Sequence, residues 1–134
     1  MIPSGNTLLA SELTVQKQES RTYKMNIEKS YIGGTCDGLE AVKQAVFKIL
    51  NTERYHYLIY SWNYGIETVD LIGQRMGYVL PEIQRRITEA LSTDDRITSV
   101  DSFEFDTSKK HEVVCTFVVR TDYGSFESGK AVAV

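Results

Sequence analysis

One stretch of the chain joins a helical pattern to a dense aromatic run, and few folds accommodate both. An amphipathic helix begins before Ala41 and breaks at Asn51, and an aromatic segment follows that ends at Gly65. Five of the ten residues from position 55 to 64 are aromatic: Tyr55, Tyr57, Tyr60, Trp62 and Tyr64. Each ring buries about 150–250 Å² when it leaves water. The segment is therefore predicted to be either a buried spine or a docking surface.

The composition is that of an ordinary globular protein. With 134 residues, 42% of them hydrophobic and 25% charged, the chain is long enough for one domain. The longest apolar run, from Val113 to Val119, is far shorter than the roughly 20 residues that a bilayer requires, so we expect no membrane span. A net charge of −3 without a clustered basic face argues against nucleic acid as a partner.

Nothing at the N-terminus resembles a secretory signal, so we expect residence in a cytoplasm. The two cysteines, Cys36 and Cys115, are far apart in sequence and are predicted to be free thiols in that reducing compartment.

The first half of the chain predicts an arm, a strand and a helix. Residues 1–21 have weak periodicity and are predicted to be an N-terminal arm, while residues 22–134 are predicted to form a single domain. Residues 23–27 alternate as in a half-buried strand, and residues 30–35, with two glycines, indicate a turn. Asp37 and Glu40 form a capping pattern, so a helix is predicted from there to Asn51.

The second half predicts two more helices and then a sheet. A short helix is expected from about Glu67, and Leu80-Pro81 is expected to open a third helix that ends before Asp94. Residues 97–106 read as a strand with a bulge between Val100 and Phe103, and residues 112–120 read as a central strand. Residues 131–134 either pair as an outer strand or stay free. The predicted fold class is α+β, with about three helices and a small, mainly antiparallel sheet.

The sequence contains no catalytic signature. A glycosidase needs an acid and a base opposed across a cleft, and no pair among the carboxylates has such a spacing. His111 and Cys115 are four residues apart on a predicted strand, which separates them by about 13 Å and excludes a nucleophile–base pair. Two histidines alone do not make a typical zinc site. We therefore expect a non-enzyme with no cofactor and no metal.

Glu53 and Arg54, directly after the first helix, are the charged pair of greatest interest. One possibility is an exposed ion pair with little effect on stability, or a cation at the helix C-terminus. The other is that Arg54 lies beneath the aromatic rings or anchors an interface. Arginine, tyrosine and tryptophan together are the usual composition of binding hot spots.

A long motif string resembles a known family. The succession DGLEAVKQAVFKILNTERYHYLIYSWNYGIE, then LIG, a Pro-Glu-initiated helix and LSTDDRI before two strands resembles the baseplate wedge family of contractile phage tails. The nearest version is that of Gram-positive phages, defective prophages and phage-tail-like bacteriocins. Residues 52–54 match the family's short Glu-Pro-Arg or Gly-Glu-Arg signature, although this chain lacks the Pro or Gly before Arg54, and Tyr64-Gly65 matches its aromatic-Gly pair.

The resemblance implies a structural role in the baseplate of a virion or tail particle assembled in the bacterial host cytoplasm. About six copies would surround the tail axis, contacting other wedge proteins through the helices and the aromatic segment, with tube or hub proteins as further candidate partners. The C-terminal strands resemble the handshake domain of sheath subunits and would bind the tail sheath protein by strand addition. The expected interface residues are Glu53, Arg54, Tyr55, Tyr57, Tyr60, Trp62, Tyr64, Gly65, Val114, Thr116, Val118 and Phe126.

Two alternatives remain open at the level of sequence. The first is a tail-associated peptidoglycan hydrolase, with Glu53 or Glu67 as its acid, and the second is a small cytoplasmic adaptor. For the baseplate role, Arg54→Ala is predicted to block assembly while the monomer stays folded.

Overall fold

The computed structural model describes residues 18–134, so the predicted arm at residues 1–21 falls almost wholly outside the described residues. The fold is α+β, as predicted, but within residues 18–134 it has two α-helices and two small antiparallel sheets. A single turn of 3-10 helix, Val69–Leu71, separates the two helices. The other elements are β1 (Thr22–Asn26), β2 (Tyr31–Cys36), α1 (Gly38–Leu50), α2 (Met76–Leu91), β3 (Ile97–Asp106), β4 (Glu112–Thr121) and β5 (Gly124–Ala133).

Helix α1 forms where the capping pattern and the apolar stripe predict it. The Asp37 carboxylate accepts a hydrogen bond from the Gly38 N–H at 2.7 Å, which satisfies one of the free donors of the first turn. The helix ends at Leu50, and the cap residue Asn51 donates its backbone N–H to the Phe47 carbonyl at 3.1 Å. Its buried stripe faces the core and consists of Ala41, Val42, Val46, Ile49 and Leu50.

The prediction of a turn at residues 30–35 is wrong, because Tyr31–Cys36 is strand β2 and pairs antiparallel with β1. The chain reverses earlier, where Ser30 adopts a positive φ of 54°. The Gln44 side chain on α1 then holds β1. Its amide oxygen accepts from the Met25 N–H at 2.9 Å, and its amide nitrogen donates to the Tyr23 carbonyl at 2.8 Å.

The predictions for the two later helices need correction. The expected helix from Glu67 is only the 3-10 turn, because Gly73, with a φ of +84°, leads the chain out of helical geometry. Helix α2 begins at Met76 and contains Pro81 inside it, rather than starting at Leu80-Pro81. Proline has no N–H to donate to the carbonyl four residues earlier, so one helical hydrogen bond is missing at Pro81. Because Pro81 is the sixth residue of the helix, the missing bond lies near the helix start.

The three-stranded sheet has the order β3-β4-β5, which confirms the central position of β4. The register between β3 and β4 shifts between Asp101 and Glu104, and Ser102 in that gap has a φ of 57°, which confirms the predicted bulge. Residues 131–133 belong to β5 and pair with β4, so the tail does form an outer strand.

Both helices and the three-stranded sheet contribute to one hydrophobic core. From β4 the core receives alternate residues, as the pattern predicts: Val113, Cys115, Phe117 and Val119. Neither helix within residues 18–134 is long and apolar enough to cross a membrane.

Candidate protein-docking loop and sheet edge

The aromatic loop, residues 55–64, has a base closed by main-chain hydrogen bonds. The Arg54 N–H donates to the Ile66 carbonyl at 3.1 Å, and the Ile66 N–H donates to the Thr52 carbonyl at 3.0 Å. These bonds form an isolated parallel bridge between Glu53 and Ile66. Since both ends are fixed at one point, the ten residues of the aromatic loop leave and return at the same place.

Gly65 is required at this base. It adopts a φ of +93°, a conformation that other residues rarely take, and a Cβ atom there would lie 2.5 Å from the Thr52 carbonyl oxygen. The strand-like approach of the two loop ends therefore depends on the absence of a side chain at this position.

Arg54 fastens the loop to helix α2. Its Nη1 donates to Glu89 Oε1 at 3.0 Å and its Nε donates to the Gly65 carbonyl at 3.3 Å, while only 11% of its side chain is exposed. The hydrogen bond from Arg54 holds the pKa of the Glu89 carboxyl below its ordinary value. In the described part of the chain Arg54 thus pairs with Glu89 and not with the adjacent Glu53, so the exposed Glu53–Arg54 pair considered above is absent.

Glu53 does not pair with Arg54 but caps the 3-10 turn. One of its carboxylate oxygens accepts from the Thr68 and Val69 backbone N–H groups at 2.8 and 3.2 Å, and the other accepts from the Thr68 hydroxyl at 2.9 Å. Three donors therefore occupy the Glu53 carboxylate, one of the two acids named for the hydrolase alternative, and this geometry gives Glu53 no support as a catalytic acid.

Arg86 is an important residue that the sequence analysis did not single out, and it differs from its exposed neighbour Arg85. The Arg86 side chain is nearly buried, and it donates to both carboxylate oxygens of Asp70, to Glu82 Oε2 at 3.0 Å and to the Glu67 carbonyl at 3.1 Å. The hydrogen bond from Arg86 lowers the pKa of Asp70. A signal was present in the sequence, since position 86 follows Ile83 by three residues and lies on the apolar stripe of α2.

The aromatic loop is a surface and not a buried spine. Tyr55, Tyr57, Tyr60 and Trp62 are all exposed, with Trp62 80% accessible, so of the two predictions only the docking surface is compatible with the structure. Tyr64 alone is half-buried against the core, and burial raises its pKa. The four exposed rings pack on one another or on Tyr64 instead of on the core.

Ring contacts run through the loop from one side to the other. Tyr60 stacks on the half-buried Tyr64 with ring centroids 4.5 Å apart, and Tyr57 meets Tyr60 edge-on at 6.0 Å. Tyr55 and Trp62 are 5.4 Å apart across the loop. Such pairs add roughly 0.5–1.5 kcal/mol each beyond the area they bury.

Beyond these rings the loop exposes two aliphatic residues that the sequence analysis did not single out. Leu58 is fully exposed, and Ile59 is 86% accessible. The sequence pattern carried a signal for them, because they are the only aliphatic pair within the aromatic run.

The predicted sheet residues divide between two faces. Val114, Thr116 and Val118 lie half-exposed on the outer face of β4, opposite the core face. Phe126 of β5 pairs with Val119 and packs against the core, with the Lys43 ammonium 5.7 Å from its ring centroid. The structure therefore brings the first three residues together on a surface and uses Phe126 for packing.

The two edges of this sheet differ in regularity. Strand β3 is interrupted by the bulge at Ser102 and by a second register shift between Ile97 and Ser99. Strand β5 pairs with β4 in one unbroken register along its whole length. The Val134 N–H donates inward to the His111 carbonyl at 3.0 Å, so the odd-numbered residues of β5 direct their N–H groups away from β4.

The remaining reactive groups do not assemble into a chemical site. Among residues 18–134 no three His, Cys, Asp or Glu side chains are placed to hold a metal ion. Cys36 and Cys115 are free, buried thiols, and burial raises the pKa of Cys115 to about 11. A thiol of that pKa is a poor nucleophile at neutral pH.

Comparisons with known proteins identify the family of this chain. Residues 13–124 match the family model described as contractile injection system sheath initiator. The chain is also similar to the phage-like element PBSX protein XkdS of Bacillus subtilis (strain 168), with 42% identity over 114 residues that cover 82% of this chain and 80% of that relative. The resemblance to a contractile-tail family is thereby confirmed, and the chain belongs to the sheath initiator family of contractile injection systems.

Proposed function

We propose that this chain is a structural protein that joins the baseplate of a contractile tail to its first sheath ring and starts sheath assembly by strand addition at β5. The observation that carries the proposal is the uninterrupted outer edge of β5, which pairs with no other strand than β4 among residues 18–134. Membership of the sheath initiator family and similarity to a protein of a phage-like element support it.

Strand addition favours a regular edge. An incoming strand bonds to main-chain N–H and C=O groups that alternate along the edge, so it needs a constant register more than a particular sequence. Strand β5 contains no proline and offers such an edge from Gly124 to Ala133. The bulge at Ser102 breaks the corresponding row on β3, and bulges are a common means of blocking an edge.

The finer assembly follows from the family resemblance. The three-stranded sheet would act as the first handshake domain for a sheath subunit, and about six copies would ring the tail axis. Helices and aromatic loop would meet other wedge proteins, with tube or hub proteins as further candidates. The role is non-enzymatic, and the protein would reside in the baseplate of the particle after assembly in the host cytoplasm.

The test removes one outward donor from β5. Ala131 directs its N–H away from β4, and its side chain lies on the exposed outer face, so Ala131→Pro deletes that donor while the pairing with β4 remains. The control, Ala131→Ser, keeps the N–H at the same position. Each variant is supplied to tail assembly reactions from which the unchanged chain is absent. Baseplates with and without extended sheath are then counted by electron microscopy.

We expect Ala131→Pro to yield baseplates that contain the chain but carry no extended sheath, whereas Ala131→Ser supports normal sheath. Normal sheath on Ala131→Pro particles would exclude strand addition at β5.

A further inference from the structure

We propose that the tip of the aromatic loop, formed by Leu58, Ile59 and Trp62, seats in an uncharged, apolar cleft of another baseplate protein. This inference rests on the proposed assembly role. It assigns the anchoring contact to the tip, while the tyrosine rings support the tip from below. The partner is defined by its chemistry: an apolar groove wide enough for two aliphatic side chains and an indole.

The exposure of the tip is continuous and extreme. Leu58 is fully exposed, Ile59 is 86% accessible and Trp62 is 80% accessible, all within five consecutive residues. Single exposed apolar residues are common on monomers, but a projecting group of large ones usually marks an interaction site. Of the side chains in this loop, only Tyr64 contacts the core.

The tip is held ready for binding. The stack of Tyr60 on Tyr64 and the ring pair of Tyr55 with Trp62 brace the loop from within. The main-chain hydrogen bonds of Ile66 with Arg54 and Thr52 close its base. A loop that is already ordered loses little conformational entropy on binding, so more of the contact energy remains as affinity. This is the arrangement expected of a plug that enters a fixed cleft.

The loop also contains a recess that a partner side chain could enter. A cavity of about 120 Å³ opens on its surface, between the rings and the tip. That volume accommodates about one aliphatic side chain, so a partner residue can enter the loop while the tip enters the partner. Reciprocal filling of this kind is typical of the centre of a binding hot spot. The cavity is lined by Tyr55, Tyr57, Leu58, Tyr60, Ser61 and Trp62.

The charge distribution favours a protein cleft over a lipid surface. Residues 55–64 contain no Asp, Glu, Lys or Arg, and the charged neighbours at the base are engaged internally, Arg54 with Glu89 and Glu53 with Thr68. Loops that dock on anionic membranes add lysines or arginines near the apolar tip to bind the head groups. An uncharged tip instead matches an uncharged cleft, because no buried charge is then left unpaired.

The experiment separates the tip from the rest of the surface. The double variant Leu58→Ser/Ile59→Ser is compared with Ile32→Ser, which changes a residue of the β1–β2 hairpin that is 68% accessible and outside the loop. Both full-length variants are first checked for native circular dichroism. Incorporation into baseplates is then measured in assemblies that lack sheath protein, so that sheath binding does not contribute.

We expect incorporation of the double variant to fall at least 10-fold, while Ile32→Ser is incorporated as the unchanged chain is. Normal incorporation of the double variant would overturn the inference. So would tip-dependent flotation with phosphatidylglycerol vesicles, which would assign the tip to lipid, or tip-dependent self-association, which would assign it to a second copy.

A second run of these assemblies, with sheath protein present, distinguishes the two proposals. If the double variant enters baseplates and sheath then forms, the tip is not the anchor and the proposed function stands. If the unchanged chain is absent from baseplates, the proposed function itself fails.

Discussion

The aromatic loop and the C-terminal sheet present binding surfaces in opposite ways. The loop exposes side chains, and its position depends on polar contacts at its base, among them Arg54 to Glu89 and Glu53 to Thr68. The sheet exposes a main-chain edge, and its position depends on apolar packing beneath β4. Because the loop is held by polar contacts outside the core, it can lose its geometry while the protein remains folded. The sheet edge, in contrast, is present only while the core is intact.

The sheet side of this comparison predicts the largest effect on stability. Phe117 on β4 is almost completely buried and its ring lies 5.5 Å from that of Phe103, so Phe117→Ala leaves a cavity in the core. We expect the free energy of unfolding in urea to fall by about 3–5 kcal/mol. The control is Val118→Ala on the outer face, which should cost less than about 1 kcal/mol. Equal losses for the two variants would refute the assignment of the two faces.

The loop base predicts the next largest effect, at Gly65. Alanine there meets the Thr52 carbonyl oxygen and must also adopt a positive φ, so we expect Gly65→Ala to reduce the free energy of unfolding by about 2–3 kcal/mol. Gly73 is a matched control, because it has a φ of +84° but open space around its Cα. Gly73→Ala should therefore cost only about 1–2 kcal/mol. A cost at Gly73 as large as at Gly65 would show that the contact with Thr52 is unimportant.

Arg54 predicts a smaller loss of stability with a larger effect on the loop. Arg54→Ala removes the hydrogen bonds to Glu89 and Gly65, and partial solvent access limits the cost to about 1–2 kcal/mol. The monomer should stay folded while amide exchange at residues 55–64 becomes faster. Arg54→Lys keeps the charge but cannot donate to Glu89 and Gly65 at the same time as arginine does. Its stability and its amide exchange should lie between those of the unchanged chain and those of Arg54→Ala. An unfolded Arg54→Ala chain would assign this residue to the fold instead.

Acid should weaken the ion pairs that hold the loop base and the 3-10 turn to helix α2. Arginine partners depress the pKa values of Asp70, Glu82 and Glu89 in the folded chain, so their contribution to stability is full above the unfolded values of about 3.9–4.3. It is lost as pH falls below about 4, through the lower pKa values of the folded state. Unfolding measured from pH 6 to pH 2 should show this decline. Arg86→Gln should flatten it, and an unchanged slope in that variant would contradict the network.

The parts of the fold that sequence predicts well are those set by neighbours along the chain. The cap at Asp37, the stripe of α1 and the alternation of β4 are local patterns, and the bulge near Ser102 follows from a local change of register. The start of α2 at Met76 was missed because Pro81 is a good first residue of a helix, and nothing local shows that the helix begins a turn earlier.

The candidate site was less predictable, because its features depend on distant partners. Whether an aromatic run is buried depends on what packs over it, and here the rings pack on each other. The opposite roles of Arg85 and Arg86 follow from the position of Asp70, which is 16 residues from Arg86 in sequence. No local pattern indicates that Glu53 and Arg54 point to different partners.

Cryo-electron microscopy of assembled tail particles tests the central claim most directly, by locating this chain and tracing the strand nearest its three-stranded sheet. The proposed function predicts a ring of copies between baseplate and first sheath layer, with a sheath strand hydrogen-bonded along β5 from Gly124 to Ala133. A sheath strand on the β3 edge, or intact contractile particles that lack this chain, would contradict it.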